Sequence, residues 1–252
     1  PCVSARRFTA RALDFRASGP HLARCSLPPA VSPHQRTEIV SDATPMRLTV
    51  FASGGGTNFQ RILDAIDRGR LDAEPVGLIT NRADAGARER AERHGVPADV
   101  VDPDAFADPT DFGRALLDLL RDRETSFVAL AGFMRKIPAN VVDAYRGAMV
   151  NIHPALLPAF GGKGMYGMNV HRAVIDYGVH WSGATVHLVD EAYDHGPIVL
   201  QEPVPVDPDD TPESLAERVL AVEHRIYPKA LQLFAENRIR RDGRRVRILS
   251  PS

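Results

Sequence analysis

Asn151 and His153 stand two apart in Asn151-Ile152-His153-Pro154, and on an extended segment that spacing sends both side chains to one side. An amide N–H beside an imidazole N–H suits an oxygen that gains negative charge as a tetrahedral intermediate forms. The competing explanation is a histidine satisfied locally in a turn before proline. A charged imidazole beside a carbonyl needs a carboxylate neighbour to raise its pKa. Asp190-Glu191-Ala192-Tyr193-Asp194 offers one, unless that stretch is a solvated hairpin turn.

A second centre lies upstream. Ser53-Gly54-Gly55-Gly56-Thr57-Asn58 joins a short apolar strand to a segment with Phe59, Ile62, Leu63 and Ile66 at helical spacing. Consecutive glycines let the backbone pass close to a ligand. Gly56, Thr57 and Asn58 fall where free N–H groups and the positive end of a helix dipole point outward, a natural seat for phosphate. The pattern is neither G-x-G-x-x-G nor the lysine-containing phosphate loop. Asn81, not an acid, follows the second strand, which favours a monophosphate over a dinucleotide. The competing explanation is a tight turn that needs positive φ. Glu223 falls next to the apolar stripe Leu215, Val219, Val222 and Ile226, either as a boundary residue or as a ligand for a cation.

Such groups converge when the carboxyl ends of parallel strands lie together. Apolar strands are predicted over 48–52, 75–80, 96–101, 127–131 and 148–152, with helices over 83–94, 112–123 and 138–145. The 127–131 run is apolar throughout, as a central parallel strand is. Residues 182–189 and 198–206 read as late antiparallel strands, and 246–249 as an edge strand. Thr211-Pro212 starts a long helix, with Thr as cap and Pro at the first position. The fold class is therefore α/β: a doubly wound, mostly parallel, Rossmann-like sheet with late antiparallel strands.

The chain has 252 residues, with Lys+Arg 31 against Asp+Glu 32, a balance that calls for neither nucleic acid nor a membrane surface. No apolar run approaches the roughly 18 residues of a spanning helix. Cys2 and Cys25 are the only cysteines, which removes thiolate metal sites and disulfide scaffolds from everything after them and fits a reducing, cytoplasmic setting. The histidines at 153, 171, 180, 187, 195 and 224 lack a coherent ligand spacing, so no metal is expected. Residues 1–45 hold six arginines, no lysine, three acids and six prolines. They are expected to be an irregular leader outside the fold, with 46–252 a single domain.

Taken together and in order, these segments resemble the glycinamide ribonucleotide branch of the folate-dependent formyltransferases. The likeness runs from about Met46 to Phe234. Asn151-Ile152-His153-Pro154 with Leu156-Leu157-Pro158 carries the superfamily. Ser53–Asn58, Ala131-Gly132-Phe133-Met134-Arg135 and Glu223-His224-Arg225-Ile226-Tyr227-Pro228 carry the branch. The resemblance implies formyl transfer from 10-formyltetrahydrofolate, as co-substrate, to the amine of glycinamide ribonucleotide in purine synthesis, without a metal.

By the same resemblance, Gly55, Gly56, Thr57 and Asn58 hold the ribonucleotide phosphate and Glu223 its amino end. Met134, Arg135, Lys136, Ile137, Asn151, Asp190, Glu191 and Asp194 line the folate site. Asn151 and His153 meet the formyl oxygen, and Asp194 keeps His153 protonated. A monomer or homodimer with small-molecule substrates only, neither nucleic acid nor membrane, is expected. Two departures stand out: a long glycine-rich 159–168 segment suited to a mobile lid, and Pro109 where some relatives carry a folate-contacting arginine. Among related enzymes, the tRNA-formylating type is expected to carry a further C-terminal barrel, and the hydrolytic type an N-terminal regulatory domain. A non-catalytic folate- or nucleotide-binding module would keep the glycine loop and have no need of His153 and Asp194.

Overall fold

The computed structural model describes residues 44–251. The leader proposed for 1–45 lies, up to residue 43, outside the described residues, as do Cys2 and Cys25. Five strands, β1 (Met46–Phe51), β2 (Ala73–Thr80), β3 (Ala98–Val100), β4 (Phe127–Leu130) and β5 (Met149–His153), are all parallel. They continue into antiparallel β6 (Trp181–Leu188) and β7 (Ile198–Pro205). The sheet order is β3-β2-β1-β4-β5-β6-β7. The fully apolar β4 is central and buried along its whole length, as its composition requires.

Period-two alternation divides the core between two faces. On one, Leu48 and Val50 pack against α1 (Thr57–Asp67), α2 (Gly86–Arg93) and the later helices α5 (Met168–Tyr177) and α6 (Pro212–Ala235). On the other, Phe51 and Val128 meet Phe112, Leu116 and Leu120 of α3 (Pro109–Asp122) and Val141 of α4 (Ala139–Ala144). Each such buried side chain contributes roughly 1.5–3 kcal/mol of transfer free energy.

Three elements differ from the sequence expectation. α3 begins at Pro109, one turn earlier, because Asp108 caps it by accepting from the Thr110 N–H at 2.6 Å and Pro109 takes the first helical position. Pro109 is thus a helix starter. α5 is an additional helix. The strand predicted at 246–249 does not edge the main sheet: β9 (Arg245–Ile248) pairs with β8 (Ile239–Asp242) in a separate hairpin turning at Gly243, φ 58°. α6 begins where predicted, in a reciprocal Thr211–Ser214 cap, and runs on through Pro228.

β7 ends the sheet on one side, and Val206 donates its N–H to His180. Strand alternation therefore turns the nitrogens of Pro203 and Pro205 to the free edge.

Candidate active site

The chain turns from β1 into α1 through Gly56, at φ 70° and ψ 34°. A Cβ there would lie 2.7 Å from that of Ala87, so both the left-handed conformation and the close approach of α2 require glycine. α1 has neither a side-chain cap nor an acid in its first turn, and its leading N–H groups stay open to an anion. Ser53 accepts from the Met134 N–H at 2.8 Å, donates through Oγ to Asn81 at 2.5 Å, and donates its N–H to Gly132 at 3.1 Å. The loops after β1, β2 and β4 are thereby joined at the β1/β4 switch point, where open parallel sheets bind ligands. Gly55 and Thr57 are exposed, whereas Gly56 and Asn58 are buried. The tight-turn explanation holds for Gly56 itself without closing the seat.

Beside this loop, Asn58 Nδ2 donates to Glu223 Oε2 at 2.6 Å, with both residues buried. Burial pushes the Glu223 carboxyl up to about 7, against the opposing pull of Asn58. Asn58 Oδ1 is buried without a partner. Two acceptors, that oxygen and the carboxylate, thus await an N–H donor. α6 is held in place by Tyr227, whose hydroxyl donates to the carbonyls of Leu130 at 2.9 Å and Val150 at 3.3 Å. The same contact ties Glu223, one turn earlier, to the two strands nearest the chemistry.

At β5 the distant residues meet. His153 Nδ1 lies 3.5 Å from Asp194 Oδ2, and Asn151 Nδ2 lies 3.4 Å from Asp194 Oδ1. Sequence reasoning missed a fourth member, His187, whose Nε2 is 3.1 Å from Asn151 Nδ2 and 3.6 Å from Asp194 Oδ1. It reads as one more alternating strand residue. Only the β5–β6 register, which places Asn151 opposite His187, reveals it. With His187 Nδ1 donating to the Leu188 carbonyl at 2.9 Å, Nε2 accepts the Asn151 N–H when the ring is neutral and points an N–H toward Asp194 when it is charged. His171 on α5 is a further buried neighbour: burial, and after it the charge of His153, lowers its own pKa, and its Nδ1 has no partner.

The 159–168 segment lies over this cluster. The Phe160 carbonyl is 2.8 Å from His153 Nε2, and the Gly162 N–H donates to Asp194 Oδ2 at 2.9 Å. Burial works against the Asp194 charge, but the His187 contact, the His153 charge and the Gly162 N–H outweigh it and hold the carboxyl below its usual range. For His153 the balance runs the other way. Its ring is 3% exposed, and burial lowers its pKa despite Asp194 and the Phe160 carbonyl. The expected role of Asp194, to keep His153 protonated, is thus opposed by desolvation, the larger of the two effects on the buried ring. Both nitrogens nevertheless face acceptors, the arrangement that receives a proton once the site rehydrates or an oxyanion forms.

The remaining predicted residues divide. Met134 and Tyr193, both about half-exposed, lie on the two loops that meet where Lys136 sits 5.5 Å over the Tyr193 ring. Ile137 is buried in the α3–α4 core, so its side chain serves packing. Arg135 pairs with Asp104 at 2.6 Å, Asp190 with His195 at 2.9 Å, and Glu191 with Arg146. These three charges are engaged at the surface and make no hydrogen bond or ion pair with the Asn151–His153–Asp194 cluster. Among the described residues, no group of three or more His, Cys, Asp or Glu is placed to hold a metal, and no helix is long and apolar enough to cross a membrane.

A switch-point anion seat beside an amide–imidazole–carboxylate cluster describes an acyl-type transferase, and the comparisons agree. The formyl transferase family model matches residues 46–231, and the chain belongs to that family. It is 45% identical over 201 residues to the chloroplastic phosphoribosylglycinamide formyltransferase of Arabidopsis thaliana, covering 78% of this chain and 68% of the relative. It is 38% identical over 186 residues to the Bacillus subtilis phosphoribosylglycinamide formyltransferase, covering 74% and 93%. The crystal structure of glycinamide ribonucleotide transformylase 1 from Symbiobacterium toebii superposes with TM-score 0.78 at 45% identity, covering 82% of this chain and 95% of that one.

Proposed function

We propose that the chain transfers the formyl group of 10-formyltetrahydrofolate to the primary amine of glycinamide ribonucleotide, a step of purine biosynthesis. The observation that carries this reading is the meeting of Asn151, His153 and Asp194 at β5, on strands that Tyr227 ties to the Asn58–Glu223 pair. The ribonucleotide phosphate takes the open N–H groups at Gly55, Gly56, Thr57 and Asn58. Its amine donates to Glu223 and to the unpartnered Asn58 Oδ1. The folate lies between the Met134–Lys136 loop and the Asp190–Asp194 loop, where the apolar surfaces of Met134 and Tyr193 suit a flat heterocycle.

The neutral amine attacks the formyl carbon, forming a C–N bond and a tetrahedral oxyanion. His153 and Asn151 donate to that oxygen, and each such donor is worth about 3–4 kcal/mol. His153 makes this donation as the imidazolium, having taken up a proton from water while the site is open; Asp194 stabilises that charge, and the proton stays on the ring through the transfer. Collapse breaks the bond between the formyl carbon and the folate nitrogen, and the amine's proton passes to that nitrogen through water beside Asp194. His153 Nε2 now faces Phe160, so the 159–168 segment opens before the formyl group enters. Asn151 likewise turns an N–H from His187 toward the substrate.

All these groups come from one chain, so a monomer and a homodimer both leave the site complete. A cytoplasmic location rests on the absence of cysteine from the fold. The deciding assay mixes the protein with glycinamide ribonucleotide and 10-formyltetrahydrofolate and follows tetrahydrofolate. Product that forms only when both substrates are present supports the proposal. Product without the amine marks a hydrolase, and no product with either marks a binding module.

A further inference from the structure

On the flank of the molecule, a cleft of about 540 Å³ runs between the second half of α1, the second half of α6 and the β8–β9 hairpin. That volume lies within the range of small-molecule sites, about 300–1,000 Å³. His224, immediately after Glu223 in sequence, is one of its lining residues, and none of the residues assigned above to the reaction is.

Its charge is one-sided. Arg61, Arg68, Arg70, Arg225, Lys229 and Arg238 line it, against the two carboxylates of Asp64 and Glu236. Three of the cations are already paired: Arg61 with Asp64 at 3.1 Å, Arg238 with Glu236 at 2.7 Å, and Arg225 with Glu202. Arg68, Arg70 and Lys229 make no ion pair among the described residues. Three like charges around one concavity repel one another, and the one acid seen to act on them, Asp64, feels Arg68 only at a distance and is itself paired with Arg61. An outlying anion removes that repulsion.

His224 adds a directional group. Arg61 Nε approaches its Nδ1 at 3.5 Å, the outer limit of a hydrogen bond. Its other ring nitrogen, Nε2, is buried with no partner. An unpartnered ring nitrogen on a residue that lines a cationic cleft is one polar group that a bound ligand would satisfy. The rest of the lining is apolar: Leu200, Pro228, Leu233 and Ile248. Such a surface takes the organic body of a ligand whose charged end lies on the arginines.

We propose that this cleft is a second binding site, separate from the reaction centre, for an organic polyphosphate of the nucleoside di- or triphosphate class. Two or more phosphates neutralise Arg68, Arg70 and Lys229, and the base and sugar cover the apolar strip. Binding is salt-sensitive because the contacts are charge pairs at a partly open surface.

Calorimetric titration of the full chain with adenosine triphosphate, inorganic tripolyphosphate and adenosine, at constant ionic strength and without added metal, tests this. The expected result is one adenosine triphosphate per chain, weaker binding of tripolyphosphate, and none of adenosine. The combined substitution Arg68→Gln, Arg70→Gln and Lys229→Gln weakens binding by about tenfold or more. Thr57→Glu, which places a carboxylate at the α1 seat, leaves it unchanged, and circular dichroism checks that both variants fold. The proposal is overturned by any of four results: no saturable binding, equal affinity for tripolyphosphate and the nucleotide, wild-type affinity in the triple variant, or loss of binding in Thr57→Glu. Because the assay reads binding and not turnover, its failure leaves the formyl-transfer reading standing.

Discussion

The anion seat and the carbonyl centre lie on the same sheet and are built on opposite plans. Gly56 and Asn58 sit at the start of α1 and Glu223 in the middle of α6, fixed by the Ala87 contact and the Tyr227 hydroxyl. At the other centre, Asn151 and His153 are on a strand, but Asp194 comes from a turn at φ 51° and the cover from a glycine-rich segment. A rigid seat recognises a substrate that never changes there. A centre closed by loops can exclude water, lower the His153 pKa, and then release it.

The largest effect should come from breaking the loop-built centre alone. His153→Ala and Asp194→Ala should each cut turnover about 10²–10³-fold, while calorimetric affinity for glycinamide ribonucleotide stays near the parent's. Equal loss of affinity would mean that the two regions act as one unit.

Glu223→Gln probes the seat through pH. Burial pushes the folded carboxyl up to about 7 from the ordinary glutamate value of 4.5, so the native state holds its proton longer than the unfolded chain. This contribution is fully present below about 4.5 and is lost as pH rises to about 7. The neutral variant escapes that loss. Relative to the parent, it should gain on the order of 3 kcal/mol in urea melts between the two ends of the window. Parallel melting curves across that window would refute a buried, high-pKa acid.

Gly56→Ala forces both a left-handed alanine and a 2.7 Å contact. It should cost about 1–3 kcal/mol of stability and raise KM for the ribonucleotide with kcat little changed. The smallest effect belongs to Gly161→Ala, whose Cβ would meet Leu157 at 2.6 Å and Asp194 Cβ at 3.2 Å. Loosening that cover by about 1 kcal/mol rehydrates His153, so the basic limb of the kcat/KM profile, where the required proton is lost, should move up toward the ordinary histidine value.

The seat was largely legible in the sequence because its signals are local. Three glycines after an apolar strand and before a helical period dictate the turn; the place of Glu223 beside a buried stripe left boundary residue and cation ligand both open, and the resemblance alone gave it to the seat. Asn151 and His153 were equally readable from their spacing. His187 was not, since its role depends on which residue of β5 it opposes. The protonation of His153 also escaped, because the sign of its shift depends on a cover that no spacing encodes. Two other omissions had readable signals. Val170 and Val174 lie four apart, with Gly178 closing α5, but the preceding run of glycines obscured the helix. Asp242-Gly243 marks the last hairpin, although nothing local says that it stands apart from the main sheet.

The outermost strands carry a further implication for assembly. β3 is only three residues long, and β7 presents Pro203 and Pro205 where a neighbouring strand would need donors. Neither margin can template continuous pairing. Two copies that associate are directed away from those two margins, toward helices, loops or the separate β8–β9 hairpin, leaving the seven-stranded layer closed to growth.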